Sequence, residues 1–391
     1  MAEQIVVAGG GLAGLRTMEE LRAAGYSGAL TMISAEHRAP YDRPPLSKQL
    51  MTGAVDDTTL REELGSLEAT VLLGERAVEL LDGAVRTDRA EHAFDRLVIA
   101  TGARPISLPG PGKQRFLRTA DDALGLRAAL GPGVRLAIIG AGWIGAELAT
   151  AAAARGCQVT VVEAGSAPLA VAVGAEVGAL TAPWYEQAGV ELLTGHTVES
   201  VAEGGLSLAD GSFLAADEIV TAVGVRPDVG WLESSGIELA NGVVVDARLR
   251  SSMPAVYAVG DCAAFWSVRF GRRLRTEHWD GALRAPVALA ADLTGAGQDY
   301  DPVPYFWSEQ FGRMLQYAGH HAGADRLVRR GDPAEPRWAV CWLAGDRLLA
   351  VLTVDSPKDL MQGRRLIESA TPVDVAKVID PAIPLRSAAA S

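Results

Sequence analysis

Short apolar runs, glycine turns and helical stretches follow one another in a fixed order along this chain, and the same order occurs twice. Gln4 to Ala8 (QIVVA) reads as a strand and Gly9 to Gly14 (GGGLAG) as a tight turn. Leu12 to Ala24 then reads as a helix with Gly25 as its C-cap, and Ala29 to Ser34 as a second strand running up to Glu36. Far downstream, Arg135 to Ile139 (RLAII) repeats the strand and Gly140 to Gly145 (GAGWIG) the turn. Ala146 to Arg155 is the matching helix, Gly156 its cap, and Gln158 to Val162 (QVTVV) a strand closed by Glu163.

Between and after these units lie further apolar strands. Arg96 to Ile99 runs into Ala100, Thr101, Gly102, Ala103, Arg104 and Pro105, and Glu218 to Val223 runs into Gly224, Val225, Arg226 and Pro227. Ala255 to Val259 ends in Gly260 and Asp261, and a helix is expected after His278. From about Pro302 the pattern changes to short alternating segments, such as Arg337 to Leu343 and Arg347 to Val354, which suggests a small α+β domain. The Ser-Ala-rich end reads as a frayed tail.

The two glycine turns carry the chemistry. In GxGxxG the first glycine (Gly9, Gly140) permits the tight turn, and the second (Gly11, Gly142) lets the backbone approach a pyrophosphate. The third (Gly14, Gly145) lets helix and strand pack closely. Phosphate charge then sits at a helix N-terminus, where N–H groups point at it. An acid past the second strand, Glu36 or Glu163, accepts hydrogen bonds from ribose hydroxyls. Two such units imply two dinucleotide sites. A carboxylate at Glu163 repels a 2′-phosphate and no arginine immediately follows it, which favours NADH over NADPH.

Composition narrows the class. The chain has 391 residues, enough for two or three cores, and its net charge of -12 argues against a nucleic-acid binder. No signal-peptide pattern opens it, and no apolar run approaches the roughly 20 residues of a membrane span. Cys157, Cys262 and Cys341 are widely spaced and form no CxxC, which fits a reducing, cytoplasmic setting and neither a metal site nor a redox dithiol.

The ordered set GGGLAG, YDRPPLSK (Tyr41 to Lys48), ATGARP, GAGWIGAE, VGVRPD, YAVGD, EHWD and PVPYFWS (Pro302 to Ser308) resembles the NADH-dependent ferredoxin reductase family. These FAD flavoproteins serve haem monooxygenases, ring-hydroxylating dioxygenases and rubredoxins. The resemblance implies an α/β fold with two Rossmann-like dinucleotide-binding domains and a small α+β C-terminal domain. The FAD-binding domain would be discontinuous (1–112 and 235–301), the NAD(H)-binding domain would span 113–234, and a C-terminal domain (302–391) would cover the flavin.

Residue roles follow from the resemblance. Lys48 should lie near flavin N5, with Glu147 as its partner. Arg43 should contact flavin phosphate or ribityl oxygens. Asp261, ahead of a helix, should bind the ribityl chain. Leu12, Ala13, Ala100, Thr101, Gly102, Arg104, Trp143, Ile144 and Gly224 fall in the cofactor motifs. Trp279 and Trp307 should line the flavin away from nicotinamide, Trp307 facing the acceptor, and His278 approaches the flavin or packs. Ferredoxin-type acceptors are usually acidic, and Arg269, Arg272, Arg273, Arg275 and Arg313 are the candidate docking arginines.

Two departures stand out. The stretch Ala167 to Gly174 carries no charge where the family usually has a basic residue, so an arginine contact to the dinucleotide is expected to be missing. Pro286, near Gly281 and Ala285, should kink or end its helix. A monomer and a homodimer both remain open. So do two other functions: an NADH-sensing flavoprotein that binds a partner, and an NADH oxidase.

Overall fold

The computed structural model describes residues 3–61, 64–297 and 299–390, and the chain divides into two compact units. The first comprises 1–42, 58–104 and 226–304, and the second 43–57, 105–225 and 305–391.

In the first unit, five parallel strands form one sheet in the order Val256–Ala258, Arg96–Ile99, Gln4–Ala8, Ala29–Ser34, Thr70–Leu73. Ile5 pairs with Leu30 on one side and Arg96 on the other. The central strand is covered on both faces, which is why Ile5, Val6, Val7 and Ala8 read as a continuous apolar run rather than an alternation. Helix Leu12–Ala23 packs against helix Trp279–Leu293. That second helix begins after His278, as expected, and runs through Pro286 instead of stopping there. Pro286 is itself buried and packs in the interior while removing one backbone N–H from the helix.

The second unit contains a parallel sheet in the order Glu191–Thr194, Gln158–Glu163, Arg135–Ile139, Glu218–Thr221. It also carries a five-stranded antiparallel sheet, Tyr305–Gln310, Arg313–Gly319, Arg347–Val354, Trp338–Ala344, Arg326–Arg330, with helix Pro357–Ser369 on the strand Arg347–Val354. The fold is thus α/β with two Rossmann-like cores and an antiparallel C-terminal sheet. Among the described residues no helix is long and apolar enough to cross a membrane.

Two expectations need correction. The helix of the second glycine motif starts at Trp143, inside the motif, not at Ala146. The C-terminal residues are tied down rather than frayed: Leu385 and Ala388 are fully buried and Val373 pairs with Ala389. The staple is Arg330, a buried arginine that donates to the carbonyls of Val378 (3.1 Å), Asp380 and Ile383 (2.5 Å), with Asp359 at 3.2 Å. Small side chains carry no pattern that announces such a role.

Replacing Arg330 with Ala removes the cation facing Asp359 and the guanidinium donors to the carbonyls of Val378, Asp380 and Ile383. Denaturant unfolding should show a loss of about 3 kcal/mol, the range for breaking a buried ion pair. Proteolysis should then open the segment after Pro372 first.

Candidate functional site

The first glycine turn is built by packing. Gly9 has φ +129°, and a Cβ there would lie 2.1 Å from the Ala100 carbonyl oxygen. A Cβ on Gly14 would lie 1.9 Å from the Gly9 carbonyl oxygen. Gly11 is the N-cap, and the first intrahelical bond runs from Leu15 N–H to its carbonyl at 3.0 Å. The amides of Leu12, Ala13 and Gly14 therefore have no intrahelical acceptor, which is the donor set a phosphate takes up. Glu36 accepts a hydrogen bond from the Tyr41 hydroxyl at 2.5 Å through one carboxylate oxygen. The residues present fit a dinucleotide.

Other expected residues of this unit have defined places. The Thr101 hydroxyl donates to the Asp228 carbonyl (2.7 Å), and Gly102 has φ +72°. Arg104 is largely exposed, 4.0 Å from Asp228. No helix follows Asp261 directly: it sits in a 3-10 turn, Gly260–Cys262, which leads into strand Ala263–Ser267. Arg275 donates to the Asp261 carbonyl (3.2 Å) and pairs with Glu277 (2.6 Å). The Trp279 indole N–H donates to Asp42 at 2.8 Å. Arg273 is bonded to the Ala264 carbonyl (3.1 Å), while Arg269 is exposed and Arg272 half-buried.

The second turn repeats the construction. Gly140 has φ +100°, and a Cβ on Gly145 would lie 2.0 Å from the Gly140 carbonyl oxygen. A Cβ on Gly142 would meet nothing within 4 Å, so the space before helix Trp143–Ala154 is open to a ligand. Glu163 is held by two backbone amides, Ala141 N–H to one oxygen and Gly165 N–H to the other, both at 2.7 Å. Each oxygen keeps a lone pair for a ribose hydroxyl. Ile144 is exposed, and Gly224 has φ +107°.

The uncharged stretch acquires a physical reason. Leu169 and Val173 are buried, with Trp184, against Leu315, Trp338 and Val340 of the antiparallel sheet. Residues 167–174 feed a hydrophobic core, and only Val171 is fully exposed.

Lys48 and Glu147 meet. Pro44 and Pro45 preset φ for a 3-10 turn, Pro44–Ser47, that Leu46 anchors in the interior. Lys48 follows it, and its ammonium lies 2.7 Å from a Glu147 carboxylate oxygen and 3.2 Å from the Pro44 carbonyl. Glu147 is only 4% exposed. The Ser47 hydroxyl donates to the same oxygen as Lys48, and the Ser308 hydroxyl donates to the other at 2.6 Å. The Gln310 amide in turn donates to Ser308 at 3.0 Å. Ser47, Ser308 and Gln310 were not singled out from sequence, although Ser47 and Ser308 stand inside quoted motifs. The signal was available in YFWSEQ, where period-two alternation places Phe306, Ser308 and Gln310 on one face and Tyr305 and Trp307 on the other.

Trp143 packs edge-on to Phe306 at 4.4 Å, and Trp307 stacks on Tyr305 at 6.1 Å. Arg43 donates to the Arg118 carbonyl at 2.6 Å. Arg313 lies 4.7 Å over the Trp184 ring and donates to Gln187 at 3.0 Å. Burial raises all three cysteine thiols, Cys262 to about 11 and Cys341 to about 12, so none is poised as a thiolate nucleophile. No group that could hold a metal ion occurs among the described residues.

Comparisons with known proteins fit this geometry. A family described as pyridine nucleotide-disulphide oxidoreductase matches residues 3–285, and one described as reductase C-terminal matches residues 305–389. The probable ferredoxin reductase CtmF of Castellaniella defragrans is 34% identical, over 99% of this chain and 99% of its own. Among solved structures, Fdr9 is 48% identical with a TM-score of 0.94, covering 98% of this chain and 99% of that one. The covalent putidaredoxin reductase–putidaredoxin complex matches at 31% identity and a TM-score of 0.94, covering 98% and 97%.

His278 supplies a pH test. Burial pushes its imidazole down to about 4, against the opposing pull of Asp261. The unfolded chain, with an ordinary value near ~6.5, takes up this proton first, so the stability held above that value is lost as pH falls toward 4. Urea unfolding at pH 7 and pH 5 should show a loss larger by about 2 kcal/mol in the wild type than in His278→Asn.

Proposed function

The chain belongs to the pyridine nucleotide-disulphide oxidoreductase family, among its ferredoxin reductases, and on that premise we propose how its residues divide the work of carrying electrons from NADH through FAD to an iron–sulfur protein. The observation that carries the reading is the pair of glycine turns, each closed by packing that excludes any side chain at its third glycine. FAD, when bound, takes a hydride from NADH and gives up electrons singly, as a one-electron acceptor requires.

The amides of Leu12, Ala13 and Gly14 receive the FAD pyrophosphate, and Glu36 takes ribose hydroxyls. Ala100, Thr101, Gly102, Arg104 and Asp261 line the same cofactor, with Arg43, His278 and Trp279 in support. Gly140, Gly142, Trp143, Ile144 and Gly145 receive NADH, with Gly224 beside it. Glu163 disfavours a 2′-phosphate by like-charge repulsion. The Lys48 ammonium stabilises negative charge on the reduced flavin, and Glu147 keeps that ammonium placed.

The partner is an acidic ferredoxin of a monooxygenase or dioxygenase system, met at Trp307. The candidate docking arginines are Arg269, Arg272, Arg273, Arg275 and Arg313, of which Arg269 and Arg273 are exposed. Three free cysteines fit a reducing cytoplasm. With every thiol raised, disulfide reduction has no support.

The deciding experiment is cytochrome c reduction driven by NADH or NADPH, with and without small ferredoxins. Strong ferredoxin dependence, with NADH favoured by at least about tenfold in kcat/KM, is expected. Bleaching of the flavin without ferredoxin dependence would shift the reading to an oxidase or a sensor. In Lys48→Ala, FAD should stay bound while stopped-flow reduction slows by about 10- to 100-fold. An unchanged rate would remove the role given to Lys48.

A further inference from the structure

The carboxylate of Glu147 is met by three side chains from two parts of the second unit. Lys48 and Ser47 hold one oxygen from the proline turn, and Ser308 holds the other from strand Tyr305–Gln310. Ser308 and Gln310 are both fully buried. A serine hydroxyl has one proton, and it can serve Glu147 or another acceptor but not both. The Gln310 amide nitrogen donates into the Ser308 oxygen at 3.0 Å, which occupies a lone pair and turns the hydroxyl proton toward Glu147. The Gln310 carbonyl oxygen is buried with no hydrogen-bond partner, so this orientation is bought at a desolvation cost that packing alone does not call for. Strand neighbours Phe306 and Phe311 fix the register on either side, one on Trp143 and the other through its N–H to Thr150 at 3.0 Å.

From this juxtaposition we propose that Ser308, oriented by Gln310, is a positioning residue for electron transfer. It locks the Glu147 carboxylate in the one rotamer that presents its other oxygen to Lys48. The proposal rests on the role given above to Lys48 and Glu147, and it assigns to the C-terminal strand a direct part in setting that pair. Without the Ser308 donor, the carboxylate turns toward Ser47 and the ammonium loses its fixed place.

The test uses the FAD-loaded full chain carrying Ser308→Ala, Ser308→Thr, Gln310→Leu or Lys48→Ala. In Ser308→Ala, kcat for flavin reduction should fall about tenfold, as for a lost hydrogen bond to a charged group, while KM for NADH stays within about twofold. Ser308→Thr should restore the rate. With FAD bound and no NADH present, acylation of Lys48 by an amine-reactive reagent, followed by peptide mass spectrometry, should be faster in Ser308→Ala than in wild type. Should Ser308→Ala fail to fold, Gln310→Leu is expected to show the same changes with smaller size. Wild-type rates and Lys48 labelling in Ser308→Ala or Gln310→Leu, alongside a slow Lys48→Ala, would overturn this inference alone. A wild-type rate in Lys48→Ala would overturn the underlying reading and the inference with it.

Discussion

A carboxylate taken out of water is among the costlier groups a protein interior can hold, and Glu147 is such a group. Its desolvation amounts to several kcal/mol unless donors replace the lost water. Here the donors come from the proline turn around residues 47 and 48 and from a strand near residue 308, segments far apart in the chain. That requirement fixes how helix Trp143–Ala154 and strand Tyr305–Gln310 lie on one another. Four helical residues rise about 6 Å and two strand residues about 6.6 Å, so Trp143 and Glu147 come level with Phe306 and Ser308. The match of two different periodicities lets one contact be aromatic and the next charged.

Much of the fold was legible because it is local. Glycine turns, flanking strands and acids lie within about thirty residues of one another, and the steric demand on Gly14 and Gly145 comes from a carbonyl five residues earlier in each case. Lys48 and Glu147 were legible only through motifs, since nothing in spacing alone joins residues 99 apart. Ser308 and Gln310 escaped notice because an isolated polar residue in an aromatic run resembles an exposed position, and Ser47 because a serine after a proline turn reads as part of the turn. The structure shows the reverse, with the polar side chains inward and Tyr305 and Trp307 on the other face. The alanine-rich end misled because it is locally a filler, and tertiary packing overrides it; Pro286 lies inside its helix and does not end it.

The uncharged stretch from Ala167 to Gly174 is committed to packing. Leu169 and Val173 belong to a core shared with the antiparallel sheet, and that core needs apolar volume where a cation would be costly. The absence of charge there is explained by packing before any question of ligand affinity arises.

On the reading proposed above, Glu163 joins two duties. Its oxygens hold the amides of Ala141 and Gly165, one within the glycine turn and one just beyond the strand. Any drift toward a different dinucleotide that discards this acid must also find new acceptors for two amides, or let the turn loosen. On the role proposed for Glu163 in coenzyme choice, a single substitution here would change preference and architecture together, and engineering would have to move several positions at once to separate them.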